Sequence, residues 1–497
     1  MKTLKKLSLL FLFLEFTACK SSNGEIEGSS PLRPAVFNVS MQSSTTWPGL
    51  CHRVEVDVAT QSNTPTMAGR ERTVNLSTDL GALYTDVGCT TPLATYTVNA
   101  STQTFAFYFR SAATGTASIT ATDGSLTQGV GSLSVATASA EITLGQVAMN
   151  FNTLNFPMLS AQSMNGPYNS VVAGGKLFVS DTTNHRILIW NTLPTSNQQA
   201  ADLVLGQPNM TTNTCNTGAL SSQTLCNPSF VHSDGTRLVV ADEANSRILI
   251  WNTLPTSNQQ AADLVLGQPN MTSNADGTLL PSDINLAFPG GVFISGSKLL
   301  VVDSGSNRVL IWNTFPTANE EAADVVVGQP NFTVNASDTT AATLSYPYMV
   351  SVHGNQMFIA DYGNSRILIW NSIPTSSGVA ANLVIGQPDF TTFGSNTGGR
   401  SAASLAEAAG PVVDEQGRFY VPDFSNHRIL IYNQIPITIH QAADAVIGQV
   451  DFATGTQNAG GVSATSISNP WGLSINDGKL WVADYTNHRV LRFTIPY

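Results

Sequence analysis

One short pattern recurs six times along this 497-residue chain: an aspartate, an arginine five residues later, and an asparagine between them. Successive aspartates are 61, 61, 58, 62 and 61 residues apart. A fixed period of this length is typical of a solenoid or a propeller. The pairs are Asp181 and Arg186, Asp242 and Arg247, Asp303 and Arg308, Asp361 and Arg366, Asp423 and Arg428, and Asp484 and Arg489.

Each repeat has the pattern of four short strands. The last repeat supplies the first three in "PWGLSI", "KLWVAD" and "RVLRF", and an earlier repeat supplies a fourth in "ADLVLGQ". These strands are rich in Val, Ile and Leu, and short turns separate the first three, which suits a small antiparallel sheet buried on both faces. Such sheets arranged radially make a β-propeller.

The ends of the repeat region predict how a ring would close. "ITLGQV" at 142–147 has the pattern of a fourth strand but precedes every other strand of the region. The last repeat stops at "RFTIPY" without a fourth strand. We therefore expect six blades, with 142–147 completing the last one and removing the open sheet edges.

Two segments, "VADYTNHRVLRF" (482–493) and "VSDTTNHRILIW" (179–190), closely resemble the NHL repeat. The resemblance implies an NHL-type propeller over 142–497. The repeats are longer than the usual NHL unit, and the extra residues lie between the third and fourth strands and after each "GQ".

The N-terminus has the pattern of an export signal. Lys2, Lys5 and Lys6 precede the short apolar run "LSLLFLFL". "FTAC" at 16–19 resembles a bacterial lipobox, which implies a signal peptide over 1–18 and lipidation of Cys19. A polar tether over 19–34 follows. We expect a bacterial cell-envelope protein held by a lipid anchor. Its expected location is the outer membrane, on the periplasmic or the external side.

Residues 35–138 carry several β-rich runs separated by turn residues, which predicts a small antiparallel sandwich. "TGTASITATDG" (114–124) resembles the closing strands of bacterial immunoglobulin-like domains, which are spacers or adhesion modules. Four cysteines other than Cys19 allow three pairings. Proximity favours Cys51 with Cys89 and Cys215 with Cys226, as disulfides formed in an oxidising compartment. The predicted fold class is all-β: this sandwich followed by the propeller.

Residues that are present in every repeat are explained by the geometry that all blades share. We therefore expect the six Asp–Arg pairs to be structural. Departures from the repeat are the candidates for binding. The connections after each fourth strand differ among repeats and share one face with the second-to-third-strand turns. Phe288, Tyr346 and Trp471 are expected near the channel mouth on this face, either lining a pocket or plugging the channel. His232 and His353 follow first strands at unequal offsets, which does not favour a metal site.

The formal net charge of −11 argues against nucleic acid and against a basic membrane-docking patch. No cofactor or metal is predicted, and membrane contact is expected only through the lipid. The favoured function is a binding or scaffold protein whose loop-rich face takes a protein or glycan of the envelope. Two alternatives stay open: a propeller hydrolase or lyase with a channel metal, and a purely architectural envelope protein. The sequence leaves the oligomeric state and catalytic activity undecided.

Overall fold

The computed structural model describes residues 32–278 and 280–496. The predicted signal peptide, Cys19 and most of the tether lie outside the described residues. Among the described residues no helix is long and apolar enough to cross a membrane. Residues 32–278 and 280–496 form strands and six short 3₁₀ turns.

Nine strands form two facing sheets at the N-terminal end, with orders β1-β3-β7-β5 and β2-β9-β8-β4-β6. Alternate residues of each strand, such as Val54, Val56 and Val58, point into a shared apolar core. The strands are β1 (Val36–Met41), β2 (Thr45–Thr46), β3 (His52–Ala59), β4 (Arg72–Thr78), β5 (Ala82–Tyr84), β6 (Thr95–Val98), β7 (Thr104–Arg110), β8 (Gly115–Thr122) and β9 (Gly129–Val135).

The remaining strands form six four-stranded antiparallel sheets, numbered one to six along the chain. The first five sheets are β11 (Pro167–Ala173), β12 (Lys176–Asp181), β13 (Arg186–Trp190) and β14 (Leu203–Leu205); β15 (Pro228–Ser233), β16 (Leu238–Asp242), β17 (Arg247–Trp251) and β18 (Leu264–Leu266); β19 (Pro289–Ser295), β20 (Lys298–Asp303), β21 (Arg308–Trp312) and β22 (Val325–Val327); β23 (Met349–His353), β24 (Gln356–Asp361), β25 (Arg366–Trp370) and β26 (Leu383–Ile385); and β27 (Val412–Val413), β28 (Phe419–Asp423), β29 (Arg428–Tyr432) and β30 (Ala445–Ile447).

The sixth sheet is assembled from both ends of this region. Its strands are β31 (Pro470–Asn476), β32 (Lys479–Asp484), β33 (Arg489–Thr494) and, from the other end, β10 (Ile142–Leu144). Strand β10 pairs antiparallel with β33, with Leu144 opposite Val490. The first strands of successive sheets contact one another in order, and β31 contacts β11, so the six sheets close into a ring.

Apolar side chains fill the spaces between neighbouring sheets. Ile187 and Leu205 of the first sheet pack with Val231 and Leu249 of the second, and all four are fully buried. Burying a side chain of this size contributes about 1.5–3 kcal/mol. This packing explains the near-continuous apolar sequence of the strands, because each sheet is covered on both faces.

The connection between the third and fourth strands reaches back to the preceding sheet, and we call it the strap. The five straps are 191–202, 252–263, 313–324, 371–382 and 433–444. In the second strap, Gln259 donates its N–H to the carbonyl of Val204, and Asn258 Oδ1 accepts the Val204 N–H at 3.0 Å. Trp251 Nε1 donates to the Gln260 carbonyl at 3.1 Å. The extra residues of these repeats therefore fasten one sheet to the next.

The two-sheet sandwich packs against the ring where the ring closes. Trp47 and Leu50 share a buried cluster with Ala445, Ile447 and residues of the sixth sheet. Arg110 forms an ion pair with Asp444 at 3.0 Å. The sandwich is thus held against the sheets by apolar and polar contacts, beyond its covalent link.

Candidate functional site

In each sheet the repeated aspartate ends the second strand, and a 3₁₀ turn leads to the repeated arginine. Asp181 Oδ1 accepts the Asn165 N–H, while Asp181 Oδ2 accepts Arg186 Nε, both at 2.7 Å. Asn184 also donates to Asp181 Oδ2. All six Asp–Arg pairs make this contact at 2.7–2.8 Å with fully buried side chains. The turns are Thr182–Asn184, Glu243–Asn245, Ser304–Ser306, Tyr362–Asn364, Phe424–Asn426 and Tyr485–Asn487.

The arginine also holds the loops on either side of its sheet. Arg186 Nη1 donates to the Met210 carbonyl at 2.7 Å, and Nη2 donates to the Ser160 and Ser163 carbonyls. Its guanidinium therefore joins the connection before the first sheet to the connection after it. With all these donors used inside the protein and no exposed surface, the pairs have no group to offer a ligand.

The residue after each 3₁₀ turn has a left-handed backbone and clamps the next sheet. His185 Nδ1 accepts the Asn227 N–H at 3.0 Å, and His427 and His488 do the same for Asn469 and Gly166. Burial lowers the pKa of these three histidines, which favours the neutral ring that this bond requires. In the third turn the asparagine stands one position later than in the others, and Asn307 Oδ1 accepts the Tyr346 N–H at 2.7 Å.

Aromatic side chains fill the mouth of the channel at this end of the ring. Trp471 lies at the centre and is 6% exposed. Its ring centroid is 4.3 Å from that of Phe424, 4.7 Å from Tyr348 and 4.9 Å from Tyr168. We use "mouth" for these four residues with Glu243, Phe288, Tyr346, Tyr362, Glu407 and Tyr485.

Of the three aromatic residues predicted near the mouth, Trp471 forms its buried floor and the other two stand at its rim. Phe288 is 41% exposed and Tyr346 is 40% exposed. Both have positive φ, 49° and 46°, which an aromatic residue rarely adopts. The channel is therefore plugged at this end, while the rim keeps aromatic surface in contact with solvent.

Two glutamates lie among these aromatic rings. Glu243 Oε2 accepts the Tyr348 hydroxyl at 2.8 Å, and burial raises the pKa of Glu243 to about 7. Glu407 accepts a hydrogen bond from the Ser425 hydroxyl. Burial and the nearby carboxylates raise the pKa values of Tyr348 and Tyr362, so both tyrosines stay protonated as donors. The mouth therefore combines aromatic surface with carboxylate oxygens.

The two histidines predicted as candidates do not meet. His232 lies within β15 rather than after it, and its Nδ1 accepts the Ile294 N–H at 3.2 Å. It lines a central cavity of about 230 Å³ below the mouth, together with Asn169, Ser170 and Ser474. His353 is the last residue of β23 and is exposed. Both strands continue further than the sequence indicated because their hairpin turns are short. Among the described residues no three His, Cys, Asp or Glu side chains are grouped as metal ligands.

Both predicted disulfides are present. Cys51 pairs with Cys89 in the sandwich, and Cys215 pairs with Cys226 in the connection after the first sheet. The Cys226 N–H donates to Asp242 Oδ1 at 2.7 Å. The second disulfide therefore attaches its loop to a point fixed by the buried Asp–Arg pair.

The six connections from a fourth strand to the next first strand, with the six 3₁₀ turns, make up what we call the loop face. The antiparallel order of the strands places all of them at one end of the ring. They span 145–166, 206–227, 267–288, 328–348, 386–411 and 448–469. Large exposed apolar residues concentrate there: Leu154, Met158, Leu280, Phe288, Tyr346, Phe393 and Val450.

Comparison with known proteins agrees with this architecture. Residues 468–493 match the model of the NHL repeat family. The protein SUPPRESSOR OF QUENCHING 1, chloroplastic, from Arabidopsis thaliana is 28% identical over 167 residues, which are 32% of this chain and 15% of that protein. The chain contains an NHL repeat, and its closed ring of four-stranded sheets is a β-propeller.

Three solved structures that match the chain share 11–14% of its sequence. A protein of unknown function from Bacteroides thetaiotaomicron VPI-5482 is 14% identical, with 94% of this chain and 99% of that chain covered and a TM-score of 0.44. Virginiamycin B lyase from Staphylococcus aureus is 14% identical, with 68% of this chain and 98% of that chain covered and a TM-score of 0.34. BamB from Moraxella catarrhalis is 11% identical, with 82% of this chain and 90% of that chain covered and a TM-score of 0.32.

Most residues of the mouth were not predicted from the sequence. Glu243 and Tyr362 occupy the same repeat position, directly after the repeated aspartate, where other repeats have Thr182 or Ser304. Aligning the six repeats at that aspartate exposes this variation. For Glu243 and Tyr362 the signal therefore lay beside the repeated motif, whereas Phe288, Tyr346 and Glu407 lie in the long connections.

Proposed function

We propose that the chain is an exported, lipid-anchored binding protein whose six-bladed propeller presents its loop face to a partner in the cell envelope. In this proposal the sandwich is an immunoglobulin-like domain. Residues 142–144 supply the outer strand that closes the sixth blade. The propeller acts as a rigid support, and binding resides in the unlike loops.

The observation that carries the proposal is the concentration of exposed apolar side chains on the loop face. Among the described propeller residues ten large apolar side chains are exposed, and seven of them lie on the six connections. The other three, Val379, Ile437 and Ile439, lie on straps. Clustered exposed apolar surface is typical of an interaction site, and loops on a rigid scaffold are the usual place for one.

Export and anchoring are supported by two features of the chain. The N-terminal segment has a positive start, a short apolar run and a lipobox-like "FTAC". Two disulfides suit an oxidising compartment outside the cytoplasm. Cys19→Ser is expected to move the protein from the membrane fraction to the soluble periplasmic fraction. Membrane association unchanged by this substitution would contradict lipidation at Cys19.

Site-specific photo-crosslinking tests the loop face directly. A photoreactive amino acid placed at Phe393, 66% exposed on the loop face, is compared with one at Ile437, 71% exposed on a strap. In cells that export the full chain, we expect a discrete cross-linked partner from position 393 and none from 437. Equal adducts from both positions, or none from either, would count against a specific loop-face partner.

A further inference from the structure

The loop face is strongly biased in charge. Its connections and turns contain seven acidic residues and one basic residue, Arg400, for a formal sum of −7 + 1 = −6. The six repeated arginines also lie at this end of the ring, but each is buried and paired with its aspartate, so these pairs add no net charge. A surface of one sign attracts a partner of the opposite sign and raises its association rate. The acidic residues are Glu243, Asp276, Asp283, Asp338, Asp389, Glu407 and Asp451.

The mouth places two of these carboxylates against aromatic rings. Glu243 bonds to Tyr348, whose ring centroid is 6.0 Å from Tyr362 and 6.1 Å from Tyr346. Burial and the nearby Glu407 carboxylate raise the pKa of Tyr362. The two carboxylates are thus joined across the mouth by tyrosines, and within the described part of the chain no lysine or arginine forms an ion pair with Glu243.

Aromatic faces and carboxylates together suit an organic cation. The negative face of an aromatic ring attracts an ammonium or guanidinium group, and a carboxylate adds a charge-assisted hydrogen bond. A neutral sugar would stack on the aromatic faces and donate hydroxyl hydrogen bonds to the carboxylates, but only a cation would also neutralise their charge. The chemistry of the mouth therefore favours a cation over a neutral glycan.

We propose that the mouth, between Glu243, Tyr346 and Glu407, binds an arginine or lysine side chain from a basic segment of the partner protein. This assignment rests on the proposed function, because it takes the loop face as the binding surface. Among the described residues Trp471 Nε1, at the floor of the mouth, is a buried donor without a hydrogen-bond partner. A segment that carries several cations matches the formal charge of −6 on the loop face better than one small cation does.

A defined peptide tests the assignment without knowledge of the natural partner. Fluorescein-labelled (Arg-Gly)4 is titrated with the purified full-length protein and followed by anisotropy, beside (Glu-Gly)4 as a charge-reversed probe. We expect saturable binding of the basic peptide alone. Glu243→Gln is expected to weaken binding at least tenfold, and Tyr346→Ala several-fold.

Glu415→Gln is the matched control, since it removes the same charge from an exposed hairpin turn at the other end of the ring. Equal weakening by the Glu243 and Glu415 substitutions would overturn the proposal, because it would reduce the effect to net charge. Unchanged circular dichroism of each variant excludes misfolding. Choline competing as effectively as the peptide would overturn the choice of a protein segment.

The pH dependence gives an independent measure at Glu243, which faces Tyr168, Tyr346 and Tyr348. A cation favours the ionised carboxylate, so a proton competes with it. Wild-type affinity should fall as pH is lowered from 8 to 6, and the Glu243→Gln variant should lose that dependence. A dependence that persists in the variant would assign the proton to another group. If the partner cross-linked from position 393 of this chain had no basic segment, this assignment would be wrong, but the proposed binding function would stand.

Discussion

Five of the six junctions between sheets are fastened by a strap, and the sixth is covered by the sandwich. In the five, a strap residue donates its N–H to the outer strand of the preceding sheet, as His440 does to Val384. The junction between the fifth and sixth sheets has no strap, because β33 and β10 are not consecutive in the chain. Trp47 and Leu50 of the sandwich pack against the fifth sheet at this position instead.

The replacement extends to individual contacts. The next-to-last residue of each strap is an alanine whose N–H donates to the connection before its sheet, as Ala201 does to Ala161. At the closing junction Ala140 donates to Ala464 in the same way. Trp47 packs edge-on against Phe493, the third-strand aromatic of the sixth sheet, at 6.4 Å between ring centroids. The segment between sandwich and ring therefore keeps the end of a strap, and the sandwich supplies the rest.

The sandwich is therefore part of how the propeller closes. A ring joined by a three-residue strand pair has a weak point at that pair, since chain connectivity does not hold it. Covering this point with a second domain makes closure depend on residues outside the repeats. Without the sandwich, the propeller would expose Ala445 and Ile447 at this junction.

Replacing the arginine of the repeated ion pair should lower stability most, and it can be done both at a strapped junction and at the closing one. Arg247→Met and Arg489→Met each leave a buried aspartate unpaired, at an expected cost of about 3–5 kcal/mol. Chemical denaturation followed by tryptophan fluorescence measures the cost. Equal costs would mean that closure is as tight as the covalent junctions. A clearly smaller cost for Arg489→Met would show that the closing junction is looser than a strapped one.

Removing the tryptophan of the sandwich tests the replacement itself. Trp47 is 9% exposed, and Trp47→Ala should destabilise the propeller by about 3 kcal/mol, at the lower end for a buried tryptophan. Hydrogen exchange should show faster opening of β10 and β33 than of β14 and β13. Met67→Ala, at a 61% exposed position of the sandwich, is the control and should change neither measurement. A Trp47→Ala variant that alters only the sandwich would contradict this role.

The repeat pattern was sufficient to predict the sheets, since strands packed on both faces need the same apolar residues in every copy. Counting strands also predicted that 142–147 completes the last sheet, and in the structure 142–144 of this segment pair with β33. The contact between the sandwich and the ring could not be predicted from the sequence, because Trp47 and Gly49 belong to no repeat. A Cβ at Gly49 would lie 2.0 Å from the Asp444 carbonyl oxygen, a constraint visible only when both domains are placed.

The candidate site was predicted only in part, for a related reason. Phe288, Tyr346 and Trp471 could be found because they flank a proline that marks each first strand. Glu243 is separated from Tyr348 by 105 residues, and their hydrogen bond depends on how the ring brings the second and fourth sheets together. Sequence alignment of the repeats identifies variable positions, but ring geometry decides which of them meet.

A smaller effect is expected at the asparagine that follows the third strand in the first five sheets. Asn433 is buried at the contact between the sandwich and the ring, where its Oδ1 accepts the Cys51 N–H at 3.0 Å and its Nδ2 donates to the Gly49 carbonyl at 3.1 Å. Its counterpart Asn252 is exposed. Asn433→Ala should cost about 2 kcal/mol, for two buried hydrogen bonds, and Asn252→Ala about 0.5 kcal/mol or less. Similar values for the two would show that this contact adds little.

The smallest effect separates the strap from the packing beneath it. Asn258→Ala removes the side-chain acceptor of the Val204 N–H but leaves the backbone bond from Gln259, so about 1 kcal/mol should be lost. Asn319→Ala removes the same contact to Val265 one sheet later and should match it, because the two straps make the same bonds. Thermal unfolding of the two variants gives the comparison. If neither substitution lowers stability, the asparagine side chains add nothing, and the straps stabilise the ring through their backbone hydrogen bonds and apolar contacts.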